Sequence, residues 1–202
     1  MLGSLLAGVG FGLSLIIAIG AQNAYVLRQG LRREHVLAVV GVCAISDVIL
    51  ISIGVGGVGS LIQSTPWLLA TMRIGGASFL IVYGALAARR AWEPSTIDAN
   101  SAGRPTTLRT TISTCLARTW LNPHVYLDTV ILLGAVAGTH GDNRWWFGAG
   151  AAIGSLAWFT TLGYGARVLR PLFARPSSWR ILDGFVAVVM FAIAANLLAG
   201  VT

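Results

Sequence analysis

Six apolar runs, each about as long as a bilayer is thick, occupy most of this 202-residue chain, at 2–27, 36–61, 67–88, 114–137, 146–168 and 181–201. A helix needs about 20 apolar residues to cross the hydrocarbon core. Inside that core every backbone polar group must be satisfied within the protein. The runs therefore predict an all-α polytopic membrane protein with six transmembrane helices. They are continuous, which excludes a β-barrel built from short strands of alternating polarity. Composition excludes a soluble fold: 10% of the residues are charged, against about 25% in soluble domains, and the mean hydropathy is +0.76. Too little sequence lies outside the runs for a second domain, so residues 1–202 are expected to form one transmembrane unit.

Charge collects in the connections. Every basic residue is an arginine. The first connection carries Arg28, Arg32, Arg33 and Glu34, the third Arg89, Arg90, Arg104 and Arg109, and the fifth Arg167, Arg170, Arg175 and Arg180. The second has no charge, and the fourth has only Asp142 and Arg144. By the positive-inside rule the first, third and fifth connections are cytoplasmic, with both termini outside. The net charge of +7 is thus topological, and no nucleic-acid partner is expected. The first run lacks a positively charged leader and a clear cleavage site, so it is expected to be retained rather than removed as a signal peptide.

The third connection, residues 91–108, mixes Pro, Ser, Thr, Asn and Gly with both charge signs and reads as a flexible cytoplasmic loop. It divides the chain into repeat one (1–90) and repeat two (109–202), each with three runs. Three spans per half insert the halves with opposite orientation, the arrangement of inverted repeats. A faint echo supports this: Gln22-Asn23-Ala24-Tyr25 in the first run against Leu121-Asn122-Pro123-His124 in the fourth. Gly8 and Gly12, Gly134 and Gly138, and Gly150 and Gly154 are spaced for close helix packing.

Two aspartates, Asp47 and Asp128, lie near the middle of apolar runs. An ionisable group there costs at least ~2.5–3.5 kcal/mol on insertion scales and is usually kept for a task. Asp47 sits about 16 Å from the cytoplasmic end of its helix. Arg73, at a similar depth in the third run, is its candidate partner, as a permanent ion pair or as a pair opened by substrate or proton. His124 lies one helical turn from Asp128, and together they form a candidate proton relay. Pro123 removes a backbone donor after Asn122, while Gly20, Gln22 and Asn23 place a flexible point and two amides in the first run. These polar interruptions are expected to be helix breaks that line one central cavity. Cys43 and Cys115 read as small buried hydrophobes. No phosphate-cradling loop, zinc spacing or nucleophile–base set occurs, so no enzyme, cofactor or resident metal is expected.

The stretch Gly20-Ala21-Gln22-Asn23-Ala24-Tyr25-Val26-Leu27-Arg28-Gln29-Gly30 resembles the signature of the LysE/ArgO family of basic amino-acid exporters. Trp120-Leu121-Asn122-Pro123-His124-Val125-Tyr126-Leu127-Asp128-Thr129 is similar to its second signature. Arg73-Ile74-Gly75-Gly76-Ala77-Ser78-Phe79-Leu80 with Tyr83-Gly84 is similar to its third-helix pattern, and Asp47, Trp158-Phe159 and Asp183 also fit. The resemblance spans essentially the whole chain. It implies a transporter of a bacterial cytoplasmic membrane, exporting L-lysine or L-arginine. Its expected substrate and ion residues are Asp47, Asp128, Asn23, Gln22, Asn122, His124, Arg73 and Tyr126, and the partners expected are the amino acid, protons and the lipid bilayer. A homodimer is one assembly open to it. With no nucleotide-binding motif, proton antiport by alternating access is the expected energy source. The alternatives are an exporter of neutral amino acids or cadmium ion and a transmembrane thiol-redox carrier using Cys43 and Cys115.

Overall fold

The computed structural model describes residues 1–17, 20–58, 64–92, 107–169, 171 and 176–199, which are helical with no strand among them. The helices are α1 (Leu2–Ile16), α2 (Ala21–Arg32), α3 (Val36–Ile53, prolonged by wide turns over Gly54–Val58), α4 (Pro66–Trp92), α5 (Leu108–Trp120), α6 (Pro123–Gly138), α7 (Arg144–Gly165, ending in a tight turn over Ala166–Leu169) and α8 (Pro176–Ala199). Most of the expected cytoplasmic loop, at 93–106, lies outside the described residues, as do Arg170 and Arg175.

Three segments, Val36–Val58, Ala70–Trp92 and Ser177–Ala199, are each 23 residues and apolar enough to cross a membrane. At 1.5 Å per residue they reach about 34 Å, more than the ~30 Å hydrocarbon core. The first and fourth runs are interrupted, at Gly20 and at Asn122-Pro123. Each is two helices in sequence. α1 ends before Gly20, whose backbone is extended at φ −98° and ψ −179°. α5 ends at Leu121, and α6 begins at Pro123, whose missing N–H costs nothing at the first helical position.

Both breaks are stitched by a side chain from the second piece reaching back to the end of the first. Asn23 Nδ2 donates to Ile16 O at 2.6 Å, and Tyr126 Oη donates to Trp120 O at 2.9 Å. These carbonyls would otherwise lack a helical partner. Asn122 Oδ1 caps α6 by accepting from His124 N at 3.2 Å.

Glycine sets how the helices approach. Gly8 lies on the backbone of Phe147, and Gly12 on that of Ala151. Gly150 lies against Leu5 and Gly154 against Val9. Residue numbers rise together across this contact, so α1 and α7 run parallel, and Gly30 against Gly163 continues the pairing along α2. Gly54 meets Thr129, Val130 and Gly134, while Cys43 meets Cys115, so α3 runs parallel to α5 and α6. α4 and α8 pack antiparallel, with Gly76 against Leu197 and Gly84 against Met190. Thus each broken run lies along the first unbroken helix of the other half, α1–α2 along α7 and α5–α6 along α3. A Cβ at Gly8, Gly30 or Gly150 would overlap a neighbouring carbonyl oxygen. Gly138, by contrast, has open space beside it and closes no contact. Outward faces stay apolar, with Ile45, Val82, Ile153 and Val188 exposed.

Candidate functional site

The two breaks face one cavity of about 100 Å³ near the middle of the bundle. Its polar wall is Gln22, Asn23, Asp47, Asn122, His124, Asp128 and Thr129, and Gly20 also lines it. Residues from both halves of the chain therefore line a single space. Leu80, Phe159 and Met190 supply apolar walls from α4, α7 and α8. A helix that stops mid-membrane leaves backbone groups facing such a space, and this is tolerated only where a cavity or protein receives them.

Each carboxylate has its own surroundings. Asp47, only 3% exposed, accepts a hydrogen bond from Ser155 Oγ on α7 at 2.6 Å. Asp128 Oδ2 lies 2.8 Å from His124 Nδ1 on the preceding turn, and its side chain is 33% exposed. The cavity thus holds one carboxylate met by a neutral hydroxyl and one met by an imidazole that can carry a proton.

The expected Asp47–Arg73 pair does not form. Arg73 is not on the cavity wall, because on α4 the wall residue is Leu80, seven residues or about 10 Å along the axis. Arg73 lies one turn from Gly76, which abuts Pro123 and His124 N. Tyr126 is also absent from the wall, its hydroxyl being engaged on Trp120 O at the second break. Asn23 and Asn122 do line the cavity, yet part of their hydrogen bonding is spent on the breaks: Asn23 on Ile16 O and Trp158 Nε1, Asn122 on His124 N. What they hold open is backbone. Gln22 Nε2 is buried with no hydrogen-bond partner among the described residues, so it offers a donor at the cavity.

Ser155 and Thr129 were not singled out by the sequence reading. The one signal for Ser155 is a hydroxyl directly after the mostly small run Gly150-Ala151-Ala152-Ile153-Gly154. Cys43 and Cys115 are both free and buried, with sulfurs 3.4 Å apart.

The LysE-type translocator family model matches residues 13–200. A Mycobacterium tuberculosis protein whose name proposes amino-acid transport is 52% identical over 186 residues, covering 92% of each chain. The arginine exporter ArgO of Yersinia enterocolitica is 41% identical over 198 residues, covering 98% of this chain and 97% of that one. The lysine exporter LysE of Corynebacterium diphtheriae is 36% identical, covering 96% and 97%. No solved structure matches. A match over residues 13–200 takes in both breaks, both carboxylates and α2 to α8, and on that ground this chain belongs to the LysE-type translocator family.

Proposed function

We propose that the protein exports a basic amino acid, L-lysine or L-arginine, from the bacterial cytoplasm in exchange for protons. The observation that carries this reading is the pair of carboxylates in one cavity between two helix breaks, with no protein cation on Asp47 among the described residues. A buried carboxylate needs a compensating charge; the substrate's side-chain cation or a proton supplies it. The full-length relatives named as arginine and lysine exporters point to the same substrate class.

Six crossings arranged as two inverted repeats fit the packing. They are the broken pair α1–α2, then α3 and α4, followed by the broken pair α5–α6, then α7 and α8. The exchange of parallel partners between halves is what a two-fold axis in the membrane plane would generate. The arginine-rich connections then face the cytoplasm. Moving a cation out of a negative interior costs about 2.3 kcal/mol per charge per 100 mV, and inward proton movement offsets that cost. In this reading Asp47 takes the substrate cation while the His124–Asp128 pair takes the proton. Protonation there releases the substrate outward, and proton loss to the cytoplasm resets the site.

Counterflow in proteoliposomes, with lysine, arginine, neutral amino acids and Cd²⁺ compared side by side, tests the substrate. Lysine or arginine should exchange. Exchange confined to neutral amino acids or to Cd²⁺ would overturn the assignment, and net export indifferent to a pH gradient would overturn the coupling. The close approach of Cys43 and Cys115 favours a second reading, a thiol-redox carrier. Both thiols are at most 1% exposed, which keeps a partner's disulfide away from them. Full transport by the C43A/C115A double variant would dismiss it.

A further inference from the structure

Between the cavity and the arginine-rich end of the bundle, four helices are joined by polar side chains into a closed ring. Arg28 Nη2 on α2 is paired with Asp183 Oδ1 on α8. Arg90 Nε on α4 reaches the same oxygen at 3.4 Å. Arg118 Nη1 on α5 donates to Tyr83 Oη on α4 at 2.5 Å, and Tyr25 Oη on α2 donates to Thr111 O on α5 at 3.2 Å. The Arg118 guanidinium also lies 4.7 Å from the Tyr25 ring centre and 5.2 Å from that of Tyr83, spanning α2 and α4. Two of the four helices come from each half of the chain.

The ring lies across the route from cavity to arginine-rich end. Tyr25 is one turn beyond the cavity residue Gln22, and Tyr83 is one turn beyond Leu80. Arg118 is one turn from Asn122, and Asp183 two turns from Met190. Anything passing between the arginine-rich end and the cavity along these four helices meets it.

Its charges do not balance. The ring holds three arginines and one aspartate: Arg28 and Arg90 share Asp183, and among the described residues Arg118 touches hydroxyl and ring atoms but no carboxylate. Gln29 Nε2 donates to Tyr25 Oη at 3.1 Å, while its Oε1 is buried with no partner among the described residues. The ring therefore contains a carboxylate already holding a guanidinium, a cation lacking a counter-ion and an unmatched acceptor. A zwitterion with a cationic tail is complementary to all three.

We propose that this ring is a second recognition site for the basic amino acid, at the arginine-rich mouth, and that the substrate opens it by exchanging partners. The inference rests on the exporter reading above. The tail guanidinium or ammonium takes Asp183 from Arg28, and the substrate carboxylate takes Arg118 from Tyr83. Gln29 Oε1 accepts from a substrate N–H. Asp183, the more buried of the pair, keeps a cation throughout, and the charge released is the more exposed Arg28, so the exchange avoids stranding the buried carboxylate. A neutral amino acid has no tail cation to offer Asp183 and leaves the Arg28 pair in place; rejection then comes from a closed ring as well as from weaker binding.

Two variants, Asp183→Asn and Arg118→Gln, test this in proteoliposomes of known sidedness. Arginine is the substrate, with agmatine (arginine without its carboxylate) and citrulline (without its charge) as competitors. In the unsubstituted protein both competitors should inhibit far less than arginine from the arginine-rich face. Asp183→Asn should raise half-saturation on that face about ten-fold and admit citrulline, leaving the opposite face unchanged. Arg118→Gln should erase the difference between arginine and agmatine. If Asp183→Asn fails to insert, the Arg118→Gln competition decides. Variants with unaltered half-saturation and an unaltered arginine-to-agmatine ratio overturn the ring site while the exporter reading stands. Absence of any lysine or arginine counterflow by the unsubstituted protein overturns the exporter reading itself.

Discussion

The two carboxylates of the central cavity differ in kind. Asp47 sits on α3, an unbroken helix, almost fully buried, with Ser155 as its hydrogen-bond donor. Asp128 sits on α6, just past a break, in a stretch of wide helical turns, partly exposed and paired with His124. A wide turn shifts the residues after it around the helix axis, and here such a stretch carries Asp128 at the cavity. In the proposed cycle this difference is what divides the labour of two acidic groups in about 100 Å³. The one without a protein base suits the substrate cation. The one against an imidazole suits a proton, since imidazole is the side chain that exchanges protons near neutral pH.

Exchange and net transport separate these roles, because counterflow needs substrate binding but no net proton movement. Asp47→Asn should have the largest effect, reducing both counterflow and pH-driven export at least ~100-fold in protein that still inserts; normal counterflow by this variant would break the assignment. Asp128→Asn should abolish pH-driven export while retaining much of the counterflow, and equal loss of both would show that the two carboxylates act as one site. Ser155→Ala should raise the half-saturating substrate concentration about ten- to 100-fold, the effect of losing one hydrogen bond to a charged group, about 1.5–3 kcal/mol. Unchanged half-saturation would remove Ser155 from the Asp47 side of the comparison. Tyr126→Phe should have the smallest effect, a few-fold loss of export with substrate affinity intact, since it frees only the Trp120 carbonyl at the break. A large rise in half-saturation would instead return Tyr126 to the substrate site.

Local relationships were legible in sequence and distant ones were not. His124 and Asp128 are four residues apart on one helix, so helical periodicity alone brings them together. Proline after Asn122 and a glycine before Gln22 mark interruptions because their backbone preferences are local. Arg73 as partner to Asp47 rested on depth alone, and depth says nothing of which way a helix is turned or which neighbour it meets. Ser155, 108 residues from Asp47 in sequence, reaches it because α3 and α7 cross there. The ring of Arg28, Asp183, Arg118 and Tyr83 escaped notice for a related reason: Arg28 and Arg90 read as loop charge obeying the positive-inside rule, although both, like Arg118, are partly buried within helices.

By itself the sequence determined that this chain is a helical membrane protein, where its polar interruptions fall, and that two carboxylates lie inside apolar runs, because each follows from hydrophobic length and local backbone preference. Tertiary structure alone decided that Ser155 rather than Arg73 attends Asp47, that two cysteines touch, and that four helices close in a charged ring. Those outcomes depend on the register between helices. Register is set where glycine lets backbones meet, as at Gly8 on Phe147 and Gly54 on Val130, and a glycine's spacing does not name the surface it will meet.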